Sequence, residues 1–343
     1  MNSKERVFTA LDHKKPDRVP IQASFVPQLE RKLEERFKLK GPELHIGLGD
    51  DMLLSWVSMA TGFYQEETET YQCEWGITWK WTDIYTEPYI HPLSDDSKVM
   101  PYQTPDPLRD NRYDEVRELI RNYGNEFPIM GCIATTIFEA AWYLRGFDKV
   151  LVDLYENKDI INNLLDKTMN FHMQAGLKFI EEGVDLLWVG DDFGSQEGMI
   201  ISPAMWREFF KWRYAMMFEN FKKKNPNIKI AYHSCRNIMP IIPELIEIGV
   251  DILNPIQPRA MDPAEVKKKF GKKLCFWGGI DIQYVLPFGT RKEVEDEVKL
   301  RISQLDGDGG LILSPAHNIQ VDTSIENVLD FYEAAKKYGG MKC

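Results

Sequence analysis

Short, strongly apolar runs alternate with helical patterns along this chain, and this alternation constrains the fold more than any other feature of the sequence. Seven runs are rich in Val, Ile, Leu, Phe or Trp, as strands buried on both faces should be. They lie at residues 18–23, 128–134, 185–189, 228–233, 251–254, 274–278 and 310–313. An alternation of β and α units of this kind predicts a parallel sheet with helices packed around it.

Helical patterns occupy the segments between and after these runs. They lie at residues 160–182, 203–224, 240–248, 263–270, 291–305 and 324–338. Seven strand predictions favour a closed (β/α)8 barrel of the TIM type over an open doubly wound sheet, which remains the alternative. We expect the eighth strand within residues 76–90, a Trp- and Tyr-rich stretch whose pattern is also typical of an inserted hairpin.

The chain has no low-complexity linker and no obvious internal repeat over its 343 residues. Barrels of this type commonly reach such a length as one unit. The sequence therefore predicts a single barrel domain over residues 1–343, with an N-terminal elaboration over about residues 1–125.

Charge and cysteine content exclude several classes of protein. The net charge of −11 argues against a nucleic-acid partner, which would need clustered Lys and Arg. No apolar run is long enough to cross a membrane, and the polar residues 1–8 do not resemble a secretory signal. Five widely spaced cysteines do not suggest a disulfide framework. We therefore expect a reduced, cytoplasmic protein.

Two adjacent carboxylates follow the third predicted strand. In barrel enzymes the catalytic groups lie just after the carboxyl ends of the strands, and Asp191 and Asp192 occupy that position. Paired carboxylates are costly to bury, so we predict that they are catalytic. The alternative is that one of them caps the next helix, although Ser202 already provides a good N-cap there.

A possible metal site follows the fourth and the last predicted strands. His233 and Cys235 are separated by one residue, and an imidazole and a thiolate are ligands that zinc prefers. His317 follows the last predicted strand. Since a barrel brings its strand ends to one rim, we predict that His233, Cys235 and His317 bind one zinc ion and leave a fourth position open.

Several short motifs, in this order along the chain, resemble those of the uroporphyrinogen decarboxylase superfamily. The motifs are Arg6-Val7-Phe8-Thr9-Ala10-Leu11, Pro16-Asp17-Arg18-Val19-Pro20, Phe138-Glu139, Leu144-Arg145-Gly146, Gly190-Asp191-Asp192, Ser202-Pro203, His233-Ser234-Cys235 and Trp277-Gly278-Gly279-Ile280-Asp281. The resemblance covers nearly the whole chain, and it implies the same barrel fold.

One segment departs from the decarboxylases of this superfamily. Their N-terminal Arg-Gln-Ala-Gly-Arg segment binds the carboxylates of the substrate, whereas residues 21–27 of this chain contain no arginine. An octa-anionic porphyrinogen would bind poorly to an acidic protein without those cations. The resemblance therefore favours the other branch, the corrinoid-dependent methyltransferases.

That branch implies a zinc-dependent enzyme that moves a methyl group from a small methylated donor to a cobalamin carried on a separate corrinoid protein. Its zinc is held by an His-x-Cys pair and a cysteine at the last strand, where this chain has His317. Such a site suits a donor that leaves through oxygen or nitrogen, such as a methoxylated aromatic. Contacts to the substrate are expected from Gln22, Glu139, Gln257 and Asp281.

Two other functions remain open at this stage. One is a metal-independent decarboxylase, and the other is a non-catalytic partner of a corrinoid protein. The sequence also allows either direction of methyl transfer, and it is compatible with a homodimer.

Overall fold

The computed structural model describes residues 1–57, 59, 69–82 and 86–340, so Cys343 lies outside the described residues. Its strands are β1 (Leu53–Trp56), β2 (Thr70–Gln72), β3 (Thr78–Trp81), β4 (Thr86–Ile90), β5 (Ile129–Cys132), β6 (Leu186–Gly190), β7 (Lys229–His233), β8 (Ile252–Ile256), β9 (Cys275–Ile280) and β10 (Leu311–Pro315). One parallel sheet has the order β1-β5-β6-β7-β8-β9-β10. Strands β6 to β10 and β5 confirm six of the seven predicted runs.

The segment around Ile21 closes this sheet into a barrel. Ile21 forms a parallel bridge with Leu313 of β10, and the backbone N–H of Asp51, just before β1, donates to the carbonyl of Ile21 at 2.7 Å. The segment therefore lies between the two edge strands, where the predicted strand 18–23 was expected, although it pairs through isolated bridges. The fold is a (β/α)8 barrel, as predicted.

The prediction that the eighth strand lies within residues 76–90 was wrong. Among the described residues of that stretch, β3 and β4 belong to a separate antiparallel sheet of order β2-β3-β4, so the alternative of an inserted hairpin is confirmed. The missing barrel strand is β1, which pairs with β5 in parallel. A four-residue run such as Leu-Leu-Ser-Trp is too short to show a period that separates strand from helix.

Helices cover the outside of the barrel and one of its ends. They are α1 (Ser3–Leu11), α2 (Pro27–Phe37), α3 (Pro42–Leu48), α4 (Asp114–Tyr123), α5 (Phe138–Arg145), α6 (Phe147–Glu156), α7 (Lys158–Glu182), α8 (Pro203–Trp206), α9 (Trp212–Lys224), α10 (Ile242–Glu247), α11 (Pro263–Phe270), α12 (Val285–Phe288), α13 (Arg291–Leu305) and α14 (Ile325–Gly339). A π-helical turn, Arg207–Lys211, joins α8 to α9. None of the described helices is long and apolar enough to span a bilayer.

Helix α1 lies across the amino-terminal end of the barrel. Its Val7 and Leu11 pack into the same apolar cluster as inward-facing side chains such as Met130 and Ile312. The thiol of Cys275, at the first residue of β9, lies 3.4 Å from the carbonyl of Leu11. Because this end is filled by a helix, the carboxyl ends of the strands are left to form a cavity.

Candidate active site

A cavity of about 750 Å³ lies at the carboxyl ends of the strands. Its wall includes residues that end or follow β5, β6, β7, β8 and β10, together with residues of α2, α3 and α4. These include Thr135, Asp192, His233, Asn254, Ser314 and His317 from the strand ends, and Glu30, His45 and Glu115 from the helices. The volume falls in the range of pockets that hold drug-sized ligands.

Three potential metal ligands converge in and beside this cavity. Asp192, His233 and Cys235 each place a ligand atom within 4.8 Å of the other two. The Nε2 atom of His233 lies 3.4 Å from Asp192 Oδ1 and 3.6 Å from Cys235 Sγ. The backbone N–H of Cys235 donates to Asp192 Oδ1 at 2.7 Å, which ties the two loops together. Nitrogen, sulfur and oxygen ligands at these positions form a set that suits zinc.

Asn254 determines which nitrogen of His233 faces the other two ligands. The Asn254 amide donates through Nδ2 to the carbonyl of Trp277 at 3.3 Å, so its Oδ1 is the atom that faces His233. Nδ1 of His233 lies 2.7 Å from that oxygen and must donate to it. The lone pair of the neutral ring is therefore on Nε2, the arrangement that second-shell partners give to metal-binding histidines.

Two glycines allow the loop after β6 to approach the end of β7. A Cβ atom on Gly190, which has a φ of +130°, would lie 2.2 Å from the carbonyl oxygen of His233. A Cβ atom on Gly194 would lie 2.3 Å from the carbonyl oxygen of Cys235. Only glycine permits this approach, which brings Asp192 next to His233 and Cys235.

The Cys235 thiol is shielded from solvent. Its burial raises the pKa of this thiol well above the usual value, and the neighbouring Asp192 and Glu139 raise it further. A thiolate at this position therefore needs a cation beside it, which is what a bound metal ion provides.

Asp191 lies outside the cavity wall, whereas the adjacent Asp192 lines it. It is fully buried and accepts hydrogen bonds from the backbone N–H groups of Ile137, Phe138 and Glu139 at 2.9, 2.9 and 3.1 Å. The hydroxyl of Tyr214 also donates to it. These N–H groups belong to the start of α5, where a carboxylate is favoured by the helix dipole. Asp191 was predicted to be catalytic, but it holds the amino terminus of a helix. That helix is α5, which precedes Asp191 in the chain, and not the next helix, as the alternative prediction had it.

Glu139 brings a second carboxyl group into the cavity wall. It accepts from the backbone N–H of Asp192 at 3.1 Å and from the hydroxyl of Tyr143 at 3.4 Å. Burial raises the pKa of Glu139 well above its usual value, and the nearby Asp192 and Asp191 raise it further. A carboxyl group in these surroundings holds its proton to a higher pH than an exposed one and can donate it.

Two more of the predicted site residues line the cavity. His317 is exposed within it, but its ring is not part of the group whose ligand atoms lie within 4.8 Å of one another. The third member of that group is Asp192, which sequence analysis assigned to catalysis. Gln22 is buried in the wall and accepts from the indole Nε1 of Trp277 at 3.1 Å.

The remaining two lie away from the cavity wall, where other contacts engage them. Gln257 accepts the backbone N–H of Arg236 and so supports the loop after β7. Asp281 accepts from Arg259 Nε at 2.8 Å and from the backbone N–H of Gln283 at 2.7 Å. Both side chains stabilise loops at the rim of the barrel.

Sequence reasoning missed a group of tryptophans that line the bottom of the cavity. The centroid of the Trp188 ring lies 5.1 Å from that of Trp56, 4.8 Å from that of Trp277 and 5.2 Å from that of His233. Trp188 and Trp277 lie inside predicted strands, where an apolar residue predicts only burial. Asn254 is the last residue of the predicted strand 251–254, which was the signal available for it.

The wall contains four carboxylic side chains, Glu30, Glu115, Glu139 and Asp192. Among the residues that the structure describes, no Lys or Arg lines it. A large anion would therefore find no lysine or arginine partner in this wall.

The sequence and the fold were compared with those of known proteins. The family model for uroporphyrinogen decarboxylase (URO-D) matches residues 74–338. Uroporphyrinogen decarboxylase 2, chloroplastic, of Oryza sativa subsp. japonica is 23% identical over 218 residues, which cover 62% of this chain and 53% of that protein. Uroporphyrinogen decarboxylase of Vesicomyosocius okutanii is 23% identical over 220 residues, 63% of this chain and 61% of that protein. The matched part thus spans only about half to three fifths of these relatives.

A solved structure shows the same fold over nearly the whole chain. A methyltransferase from Methanosarcina mazei is 17% identical and superposes with a TM-score of 0.73, covering 98% of this chain and 99% of that chain. At this identity the likeness concerns the fold alone. Since the family match extends over most of the chain and the fold agrees with it, the chain belongs to the uroporphyrinogen decarboxylase family.

Proposed function

We propose that this chain is a zinc-dependent methyltransferase that moves a methyl group from a small methylated donor to a cobalamin on a separate corrinoid protein. The observation that carries the proposal is the convergence of Asp192, His233 and Cys235, with the lone pair of His233 Nε2 directed into the group. A decarboxylase that works without a metal has no need of such an arrangement.

The residues present fit a zinc ion. We assign Asp192, His233 and Cys235 as its ligands in place of the predicted set with His317, because three ligand atoms within 4.8 Å of one another can share one ion. When bound, zinc would supply a Lewis acid for the leaving group of the donor. A ligand set of this size leaves room for that group, and His317 faces the same cavity.

The other residues position these ligands and enclose the donor. Asn254 keeps Nε2 of His233 free to bind, and Asp191 holds α5, which carries Glu139. The donor gives up its methyl group to the reduced cobalt carrier, keeps the electron pair of the broken bond on its oxygen, and takes up one proton. Glu139 lines the cavity, and its position and raised pKa suit it to provide that proton.

The cavity wall also argues against a porphyrinogen as the substrate. Uroporphyrinogen carries eight carboxylates, and binding them requires cationic side chains. Among the described residues the wall has no Lys or Arg, and residues 21–27 contain no arginine. Membership of the family therefore does not transfer the decarboxylase activity to this chain.

Four described cysteines are free, which supports a reduced, cytoplasmic setting for the proposed thiolate ligand.

Metal analysis and methyl transfer test this function together. We expect about one zinc ion per chain in the purified protein, as for a catalytic site, and methylation of reduced cobalamin by a methyl donor. Cys235→Ser and Asp192→Asn should each lose the metal and the transfer, while the barrel stays folded.

Cys132→Ser is the matched control, because Cys132 is buried in the barrel wall and belongs to no group of metal ligands. It should keep the zinc. A metal-free protein with full activity, or one that decarboxylates uroporphyrinogen, would overturn the proposal.

A further inference from the structure

We infer that the methyl donor carries a positive charge away from the transferred methyl group, as a methoxylated arylalkylamine does. This inference rests on the proposed function and narrows its substrate class. It follows from the charges in the cavity wall, from the aromatic side chains beside them and from where both lie relative to the metal ligands.

Apart from the proposed zinc ion, an anionic donor would meet no unpaired cation in the wall. The lining has no Lys or Arg among the described residues. His45 lines the cavity, but Nδ1 lies 2.7 Å from Asp50 Oδ2 and Nε2 lies 3.5 Å from Glu30 Oε1. Burial by itself would lower the pKa of His45, yet the hydrogen bonds to Asp50 and Glu30 raise it to about 10. The positive charge of His45 is therefore already matched by two carboxylates.

A cation, by contrast, would meet carboxylates whose negative charge is not fully matched by basic groups. Glu115 is exposed at the wall and accepts from the hydroxyl of Ser55 at 2.6 Å. No ion pair joins it to a Lys or Arg of the described residues. Glu30, also in the wall, shares the single charge of His45 with Asp50, so these three groups together keep a net negative charge. Both carboxylates can therefore attract an ammonium group.

These carboxylates and the metal ligands come from different elements of the barrel. Glu30 is on α2 and Glu115 is on α4, which contacts β1 and β5. The metal ligands follow β6 and β7, so β5 separates the two sets in the order of the sheet. A donor that contacts both sets would turn its charge toward the carboxylates and its methyl ether toward the metal ligands.

Aromatic rings line the same cavity. Trp56 is on β1, and its ring contacts that of Trp188, which in turn contacts His233. Phe25 and Tyr143 add further rings to the wall. Indole and phenyl faces accept an aromatic donor and also attract cations. A cavity of about 750 Å³ is far larger than a one-carbon donor would need.

Three probes of the same shape separate charge from size. They are 4-methoxyphenethylamine, which is cationic, 2-(4-methoxyphenyl)ethanol, which is neutral, and 3-(4-methoxyphenyl)propanoate, which is anionic. Binding to the zinc-loaded protein is measured by calorimetry, and methyl transfer to reduced free cobalamin is followed by its spectrum. We expect the amine to bind about tenfold more tightly than the carboxylate, because attraction of the one and repulsion of the other each contribute a few-fold.

Two variants test whether the named carboxylates cause this preference. Glu115→Gln and Glu30→Gln should each lower the ratio of the two dissociation constants by about threefold, the range of a partly exposed charge pair. Glu118→Gln is the control, because Glu118 is exposed on the same helix but outside the cavity wall. It should leave the ratio unchanged.

The outcomes separate this inference from the proposed function. Preferred binding of the amine without methyl transfer would support the inference and contradict the proposed function. Transfer from the carboxylate or the alcohol that is as efficient as from the amine would support the proposed function and overturn the inference. Equal binding of all three probes, or binding of none, would overturn the inference as well.

Discussion

Replacement of Asp191 by alanine tests whether this residue holds the fold or acts in catalysis. The change removes the acceptor for three backbone N–H groups at the start of α5 and for the hydroxyl of Tyr214. A buried donor without a partner costs about 1–3 kcal/mol, and relaxation around the site recovers part of the sum. The burial of the carboxylate, which raises the pKa of Asp191, is relieved at the same time. We therefore expect a loss of about 3–5 kcal/mol, as for other broken buried charge networks.

That loss converts into a measurable shift of the melting temperature. With 343 residues and an unfolding entropy of about 2.1 cal/mol/K per residue, the total is roughly 0.7 kcal/mol/K. The expected decrease in melting temperature is then about 4–7 °C, read by calorimetry on the metal-free protein. Asp191→Asn keeps one acceptor oxygen but adds donors that face N–H groups, so its decrease should be about half as large.

Asp192→Asn is the matched control, because it changes the adjacent carboxylate, which is 37% exposed. Its melting temperature in the metal-free protein should change by less than about 1 °C, as for most partly exposed substitutions. Our reasoning would be refuted if Asp191→Ala melted like the unchanged protein while Asp192→Asn lost several degrees. An Asp191→Asn protein with normal stability and no turnover would equally restore Asp191 to catalysis.

Three further predictions concern the backbone, the metal ligand and the pH dependence of stability. Gly190→Ala should displace His233 and abolish zinc binding, because the added Cβ would lie 2.2 Å from the carbonyl oxygen of His233. Gly183→Ala is the control: Gly183 has a positive φ but lies in open space, so this variant should lose only about 1 kcal/mol of stability and keep the metal. Zinc bound by Gly190→Ala at native affinity would contradict this prediction. Asn254→Ala should weaken zinc binding about 10–100-fold in a chelator competition, because it removes the acceptor of the His233 Nδ1 proton. Asn227→Ala is the control, since Asn227 lies on the exposed loop before β7, and it should have no effect on zinc binding. Burial lowers the pKa of His172 to about 4, and the hydrogen bond from its Nδ1 to the carbonyl of Thr168 only partly opposes this shift. Its Nε2 has no hydrogen-bond partner among the described residues. As the pH falls, the unfolded chain therefore binds the extra proton first, and the free energy of unfolding should fall by up to about 3 kcal/mol between about pH 6.5 and about pH 4. His172→Gln should flatten this part of the curve of unfolding free energy against pH. Parallel curves for the variant and the unchanged protein would exclude His172 as the cause.

The order of the barrel strands was predictable from the sequence because strands buried on both faces carry continuous apolar runs. The runs at β6 to β10 are separated by clear helical patterns, so their existence did not depend on exact boundaries. β1 and the segment around Ile21 escaped full recognition for different reasons. β1 has four residues, and the Ile21 segment is joined to its neighbours by isolated bridges, so neither leaves a long periodic signal.

The sequence also brought Asp192, His233 and Cys235 to one rim, because parallel strands of a barrel end on the same side. It did not indicate which of two neighbouring aspartates faces the cavity. Consecutive side chains of an extended segment point in opposite directions, but the direction of the first depends on how the segment packs. The structure turns Asp191 toward α5 and Asp192 toward the cavity.

The sequence alone thus determined the class of fold, the side of the barrel that carries the site, and the ligand types available there. The tertiary structure alone decided that Asp192 lies with His233 and Cys235 in one group of possible metal ligands, because the distance between the loops depends on the close approach at Gly190 and Gly194. It also decided the character of the cavity, since the tryptophans, Glu30 and Glu115 come from strands and helices far apart in the chain. Composition reports only the total charge of −11, and packing determines which of those charges face a ligand.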